Sequence, residues 1–105
     1  MENSISVNQN KFIKKIIERL QGKLISFQVI NRDDRLLGLV RDVYLPQDQD
    51  LFLLISLANF PNQNKLFLLN SNYVEKIVLE SKLLTVNLTK KNSYNLPLYQ
   101  PTKPQ

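Results

Sequence analysis

Hydrophobic and polar positions change their period near residue 22 of the chain. Before that point the apolar residues recur at helical spacing, with charged residues on the opposite face. The apolar positions are Phe12, Ile13, Ile16, Ile17 and Leu20, and the charged ones are Lys14, Lys15, Glu18 and Arg19. Asn10 suits a helix start and Gly22 a helix end. The pattern predicts an amphipathic helix over residues 10–21, after a flexible leader over residues 1–9.

After residue 22 the period falls to two, which is typical of half-buried β-strands. Residues 36–45 form the central predicted strand, bent at Gly38 and paired on both sides. Polar turns separate about six short strands over residues 22–90. Because closure removes exposed strand edges, the pattern predicts a mainly β fold, a small six-stranded antiparallel β-barrel.

The C-terminal tail, residues 91–105, has a different composition. Pro97, Pro101 and Pro104 exclude a helix and favour extended backbone. Two alternatives remain open for this tail. It either lies on its own barrel as an extra strand or docks on another protein.

Composition narrows the chemistry of the 105-residue chain, which contains no cysteine and no histidine. Thiolate nucleophiles, imidazole bases and the common zinc and iron–sulfur sites are thereby excluded. The two glycines belong to no phosphate-binding loop. We therefore predict no catalytic residue, no cofactor, no metal site and no enzyme activity.

Charge adds a second possibility for binding, since the net charge is +5 and the pI is about 9.6. Basic residues cluster near both ends of the chain, at Lys11, Lys14, Lys15, Arg19, Lys90 and Lys91. Such a patch fits nucleic acid or an acidic partner. The basic residues are not interleaved with aromatic ones, which favours protein docking over RNA binding.

No segment of the sequence is suited to cross a membrane. The longest apolar run, residues 51–57, is far shorter than the ~20 residues of a spanning helix, and residues 1–10 are too polar for a signal peptide. We expect a cytoplasmic protein, with peripheral contact to a membrane complex as the alternative.

One short motif resembles a known family. Leu37-Gly38-Leu39-Val40-Arg41-Asp42-Val43-Tyr44, preceded by Leu20-Gln21-Gly22-Lys23, resembles the PRC-barrel family over roughly residues 20–88. The resemblance implies a small barrel that binds other macromolecules, in proteins of the photosynthetic apparatus or of ribosome maturation. The resemblance assigns structural roles to Gly22, Gly38 and Asp42. The leading helix and the tail lie outside the resemblance, so it implies no role for either segment.

Two functional hypotheses follow. The first is a protein-interaction or complex-assembly factor, with partner or homodimer contacts through the apolar residues outside the barrel core. These candidate residues are Phe12, Ile16, Ile17, Phe60, Tyr94, Leu96, Leu98 and Tyr99. The second is an RNA- or ribosome-associated maturation factor that uses the basic patch. The sequence favours the first hypothesis.

Overall fold

Seven strands and one long helix make up most of the computed structural model, which describes residues 4–6, 10–46 and 50–100. The helices are α1 (Asn10–Leu20) and α2 (Lys90–Ser93), with short 3-10 helices at Gln21–Leu24 and Ser71–Tyr73. The strands are β1 (Ser4–Ser6), β2 (Gln28–Asn31), β3 (Leu36–Tyr44), β4 (Phe52–Leu57), β5 (Phe67–Asn70), β6 (Val74–Val78) and β7 (Leu83–Val86). Strand β1 lies within the segment predicted as a leader.

The predicted closed, antiparallel barrel is wrong. The strands form one sheet in the order β1-β6-β7-β2-β3-β4-β5, and the two edge strands do not pair with each other in the described part of the chain. The sheet is also mixed, because β2 and β7 run parallel. A period of two fixes which side chains share a face, but it leaves the partner and the direction of each strand to tertiary packing.

Strand β3 is paired on both sides, as predicted, with β2 and β4 as its neighbours. A Cβ atom at Gly38 would overlap the carbonyl oxygen of Ser56 and lie 3.3 Å from the Cα of Leu57. Glycine therefore permits a close approach of β3 to β4 that no other residue allows. The pairing register then shifts between Val40 and Asp42, which marks a bulge in β3.

Helix α1 covers part of the sheet with its apolar face. Ile13 and Ile17 are fully buried within the same hydrophobic core as residues of the strands, and Ile16 and Leu20 pack against that core. Gln21, with φ of 37°, takes the left-handed conformation after the helix, whereas a Cβ at Gly22 would meet open space. None of the helices in the described residues is both long and apolar enough to span a membrane.

The C-terminal segment lies along the free edge of β5. The backbone N–H of Leu68 donates to the carbonyl oxygen of Pro97 at 2.8 Å, and the N–H of Tyr99 donates to that of Leu66 at 2.8 Å. Leu98 forms an antiparallel bridge with Phe67. Of the two alternatives for the tail, residues 97–99 adopt the extra edge pairing on their own sheet. The expectation that the tail contains no helix is wrong for residues 91–93, which belong to α2 and precede the first proline of the tail. Residues 101–105 lie outside the description.

Candidate functional site

A groove opens between the end of β5 and the segment that follows β7, with a cavity volume of about 640 Å³. Five of its lining residues carry side-chain amides: Asn70, Asn72, Asn87, Asn92 and Asn95. Two aromatic residues, Phe52 and Tyr73, also line it, and Leu68, Leu88 and Leu96 supply apolar surface. None of the residues that line this cavity is charged. The groove therefore combines neutral hydrogen-bonding groups with aromatic and aliphatic contacts.

The first wall of the groove is organised by Asn70. Its Oδ1 accepts a hydrogen bond from the backbone N–H of Asn72 at 2.8 Å, which caps the 3-10 helix Ser71–Tyr73. Its Nδ2 donates to Oδ2 of Asp50 at 3.0 Å. The Asn70 amide is thus committed to the fold, and it holds Asn72 and Tyr73 at the groove.

The second wall is built by α2 and the turn that follows it. Thr89 Oγ1 accepts a hydrogen bond from the backbone N–H of Asn92 at 3.0 Å, and Ser93 Oγ donates to the carbonyl oxygen of Lys90 at 2.6 Å. The backbone N–H of Asn95 donates to the carbonyl oxygen of Asn92 at 3.0 Å. These short-range bonds fix the positions of Asn92 and Asn95 along the wall.

The two walls meet where the backbone N–H of Asn87 donates to the carbonyl oxygen of Tyr73 at 2.8 Å. Beneath them, Leu96 is 9% exposed and belongs to the hydrophobic core. The amide side chains of Asn72, Asn87, Asn92 and Asn95 make no hydrogen bond with any described residue, and all four are exposed. These amides are consequently available to a ligand.

A smaller cavity of about 220 Å³ adjoins the groove, because both are lined by Asn87, Leu88 and Thr89. Its other wall is the turn that begins at Asn31, a buried residue. The Oδ1 atom of Asn31 accepts hydrogen bonds from the backbone N–H groups of Asp33 at 2.9 Å and Arg35 at 3.0 Å. One buried amide thus fixes a turn that carries charged side chains to the edge of the groove.

Arg32 in that turn is paired with Glu75 of β6. Nε of Arg32 donates to Oε1 of Glu75 at 2.9 Å, and Nη2 donates to Oε2. These hydrogen bonds hold the pKa of the Glu75 carboxyl below its ordinary value and raise the pKa of the Arg32 guanidinium. The pair carries no net charge, and because the Arg32 side chain is 65% exposed it forms a solvent-screened ion pair at the rim of the groove.

The apolar residues predicted to contact a partner are placed mainly against the chain itself. In α1, Ile17 is fully buried and Ile16 half-buried, while the Phe12 side chain lies outside the description. Phe60 is half-buried and meets Phe67 edge-on, with ring centroids 5.2 Å apart. The helix and the Phe60 loop therefore use these side chains for internal packing.

In the tail, Leu96 is buried, whereas Leu98 and Tyr99 are half-buried. The Tyr99 ring lies edge-on to Tyr44, with centroids 5.5 Å apart. Among the members of the predicted set whose side chains the structure describes, Tyr94 alone is exposed, at 47%. The tail thus contributes to the groove mainly through Leu96 and the neighbouring asparagines.

The predicted basic patch divides between the two helices. On α1, Lys15 and Arg19 are exposed and Lys14 is half-buried, while the Lys11 side chain lies outside the description. On α2, Lys90 is half-buried and Lys91 is exposed, and both lie between the groove residues Thr89 and Asn92. Lys90 and Lys91 are consequently the predicted basic residues that flank the groove directly in sequence.

Among the residues given structural roles, Asp42 accepts a hydrogen bond from the backbone N–H of Val43 at 2.8 Å, beside the bulge in β3. This is a local backbone contact of the kind expected for that aspartate. In the described part of the chain, no three or more acidic, cysteine or histidine side chains gather in a group that could hold a metal ion.

Sequence reasoning missed the groove asparagines. The chain contains twelve asparagines, and five of them line one cavity although they are spread over residues 70–95. Their density in that stretch is a usable signal, but asparagines between two apolar runs indicate by themselves only a turn between strands. Their convergence depends on the pairing of β6 with β7, which the sequence pattern does not specify.

Comparison with known proteins finds a similar fold among solved structures. No protein-family model matches the chain, and no curated protein matches its sequence. A solved structure described as a 16S ribosomal RNA processing protein, RimM, from Pseudomonas aeruginosa is similar, with a TM-score of 0.53 and 19% sequence identity. The similarity covers 67% of this chain and 43% of that chain, so this chain corresponds to less than half of the other protein.

At 19% identity the comparison establishes a shared fold alone. The chain therefore has a RimM-like β fold, while its assignment to the PRC-barrel family stays a prediction. The comparisons give no support to an association with photosynthesis.

Proposed function

We propose that this chain is a non-enzymatic, cytoplasmic binding module that associates with ribosomal particles during their maturation. The observation that carries the proposal is the fold similarity to the RimM structure, a protein described as acting in 16S ribosomal RNA processing. The similarity favours the second of the two sequence-based hypotheses over a general protein adaptor.

The chemistry of the surface supports a partner that contains nucleic acid. A net charge of +5 attracts polyanions, and the groove next to Lys90 and Lys91 offers neutral amides and aromatic rings.

Co-sedimentation tests this proposal. The full chain, carrying an affinity tag, is added to a native bacterial lysate and separated on a sucrose gradient at low and at high salt. We expect co-migration with ribosomal subunits or their precursors, loss of co-migration after ribonuclease treatment, and weakening as salt rises. Absence from every ribosomal fraction at low salt would contradict the proposal.

A protein-docking role is the second candidate, favoured by the exposed side chains of Leu36, Leu39 and Tyr44 on β3. Binding through such apolar surface depends little on salt, because it does not displace counterions. Capture of a protein partner that survives both ribonuclease and high salt would favour this candidate over the ribosomal one.

A further inference from the structure

We propose that the amide-lined groove binds unpaired RNA bases, with Asn72 and Asn87 contacting base edges and Tyr73 stacking on a base. The proposal deepens the proposed function by naming the ligand of this groove, and it rests on that function only for the ribosomal source of the RNA. It is carried by four observations on the groove.

The first observation is the free amides. Each asparagine side chain presents two N–H donors and a carbonyl acceptor, a combination that complements the mixed donor and acceptor edges of nucleobases. Asn72 and Asn87 are exposed and make no side-chain hydrogen bond with described residues. A base edge would supply the partners that these amides lack.

The second observation is the aromatic surface between them. Tyr73 lies next to Asn72 in the chain, its carbonyl oxygen is bonded to the N–H of Asn87, and its side chain is 39% exposed. Aromatic side chains at such positions stack on bases that are not already stacked within a duplex. Two amides and one ring therefore converge at the junction of the two walls.

The third observation is the distribution of charge. The groove itself is lined by uncharged residues, whereas Lys90 and Lys91 lie in α2 between two of its lining residues. The adjoining cavity adds no net positive charge, because Arg32 there is paired with Glu75 and lies beside Asp33. Neutral bases fit the interior, and flanking phosphates fit the two lysines at the rim. A neutral sugar or an uncharged peptide would make no use of that rim.

The fourth observation is the size of the cavity. A volume of about 640 Å³ lies within the range of roughly 300–1,000 Å³ for small-molecule sites, so the groove can accept an extruded base. Paired bases keep their edges and faces within the duplex, which leaves single-stranded loops and ends as the ligand.

Fluorescence anisotropy tests the inference on the full chain, with a labelled single-stranded RNA of twelve nucleotides and mixed sequence as the probe. The same sequence annealed to its complement is the duplex control. We expect the single strand to bind at least ~10-fold more tightly than the duplex, as stacking on exposed bases requires. Equal affinities would overturn the inference.

The decisive variant is Asn72→Ala combined with Asn87→Ala, which we expect to weaken single-strand binding about 10-fold, as the loss of base-edge hydrogen bonds predicts. The matched control is Asn59→Ala combined with Asn64→Ala, which removes two exposed amides from the loop before β5. Thermal melting of both variants verifies that they remain folded. Equal affinity of the two double variants for the single strand would overturn the inference.

Two further variants separate stacking from charge. Tyr73→Leu should weaken binding about 10-fold and Tyr73→Phe should restore it, because the ring and not the hydroxyl stacks. Lys91→Ala should lower the slope of log affinity against log salt by about 0.7, as expected for one lost single-strand phosphate contact, with Lys65→Ala as the exposed control. Binding that is indifferent to Tyr73→Leu would contradict the stacking geometry.

The sucrose gradient distinguishes this inference from the proposed function. If the Asn72→Ala, Asn87→Ala variant binds the single-stranded probe as tightly as the Asn59→Ala, Asn64→Ala control and the wild-type chain still co-migrates with ribosomal particles, the groove assignment fails and the ribosomal role stands. If the wild-type chain binds the single-stranded probe through the groove but never enters ribosomal fractions, the groove assignment stands and the ribosomal role fails.

Discussion

Under α1 the sheet is sealed by apolar side chains such as Ile13 and Ile17, whereas the groove beside α2 leaves the amides of Asn72 and Asn87 exposed to solvent. Both regions are formed by segments outside the central strands. In the first, the added segment completes the core. In the second region, the added segment contributes Leu96 to the core and forms a polar wall of the groove above that core.

The contrast shows where the chain can change without loss of fold. Buried side chains are held at high packing density, so their alteration costs free energy of unfolding directly. Exposed amides without protein partners contribute little to folding and remain free to bond to solvent or to a ligand. Substitutions in the two regions should therefore separate stability from binding.

The largest expected effect lies within the sheet itself, at the contact between β3 and β4. Gly38→Val should lower the free energy of unfolding by about 4 kcal/mol, because its side chain would overlap the Ser56 carbonyl oxygen of the neighbouring strand. Urea unfolding measures the change. Gly22→Ala is the control, since a Cβ at that position meets open space. An unchanged urea midpoint for Gly38→Val would contradict the close approach of β3 to β4.

The next effect concerns the helix that seals the sheet. Ile17→Ala should cost about 3 kcal/mol of unfolding free energy, because it leaves a cavity between α1 and the strands. Glu18→Ala, on the exposed side of the same helix, should change it by less than about 0.5 kcal/mol. Equal melting temperatures for the two variants would show that α1 does not pack on the sheet.

A smaller loss is expected beneath the groove. Leu96→Ala should cost about 2 kcal/mol, because Leu96 joins the core from a segment attached through few backbone hydrogen bonds. Removal of residues 92–105 should cost at least as much, since it also uncovers the edge of β5. Chemical denaturation of both proteins checks this, and an unaltered transition would mean that the tail is dispensable for folding.

The groove amides should have almost no effect on folding. Asn72→Ala should change the free energy of unfolding by less than about 0.5 kcal/mol, because its exposed amide bonds to no described residue. Asn31→Ala is the contrasting variant, since it removes the buried acceptor of two backbone N–H groups. Differential scanning calorimetry compares the stability of the two variants. A large loss of stability in Asn72→Ala would show that the groove amides contribute to folding as the buried side chains do.

The smallest effect is a pH dependence at the rim. The pKa of Glu75 is held below its ordinary value of 4.5 by the Arg32 hydrogen bonds, so the stabilisation is present above that pH and is lost as pH falls through the lowered pKa. Glu75→Gln should therefore differ from the wild type near pH 7 and converge with it in acid. Unfolding transitions from pH 2 to 7 test this, and a constant difference would contradict it.

Much of the local structure follows from short-range pattern. The helix over 10–21, found at Asn10–Leu20, and the doubly paired strand around Gly38 depend on side-chain spacing and on a single missing Cβ. The candidate site could not be predicted from short-range pattern. Its asparagines come from the end of β5, the end of β7 and the turns around α2, so no local window contains the whole set.

The sequence by itself determined the amphipathic helix, the succession of short strands, the absence of cysteine and histidine, and the positive charge, because these depend on composition and neighbouring residues. Only the tertiary structure decided that β7 lies parallel to β2, that the sheet stays open, and that the tail pairs with β5. The physical reason is that alternation orients side chains toward a face, whereas partner choice depends on which distant strand edge is free to accept backbone hydrogen bonds.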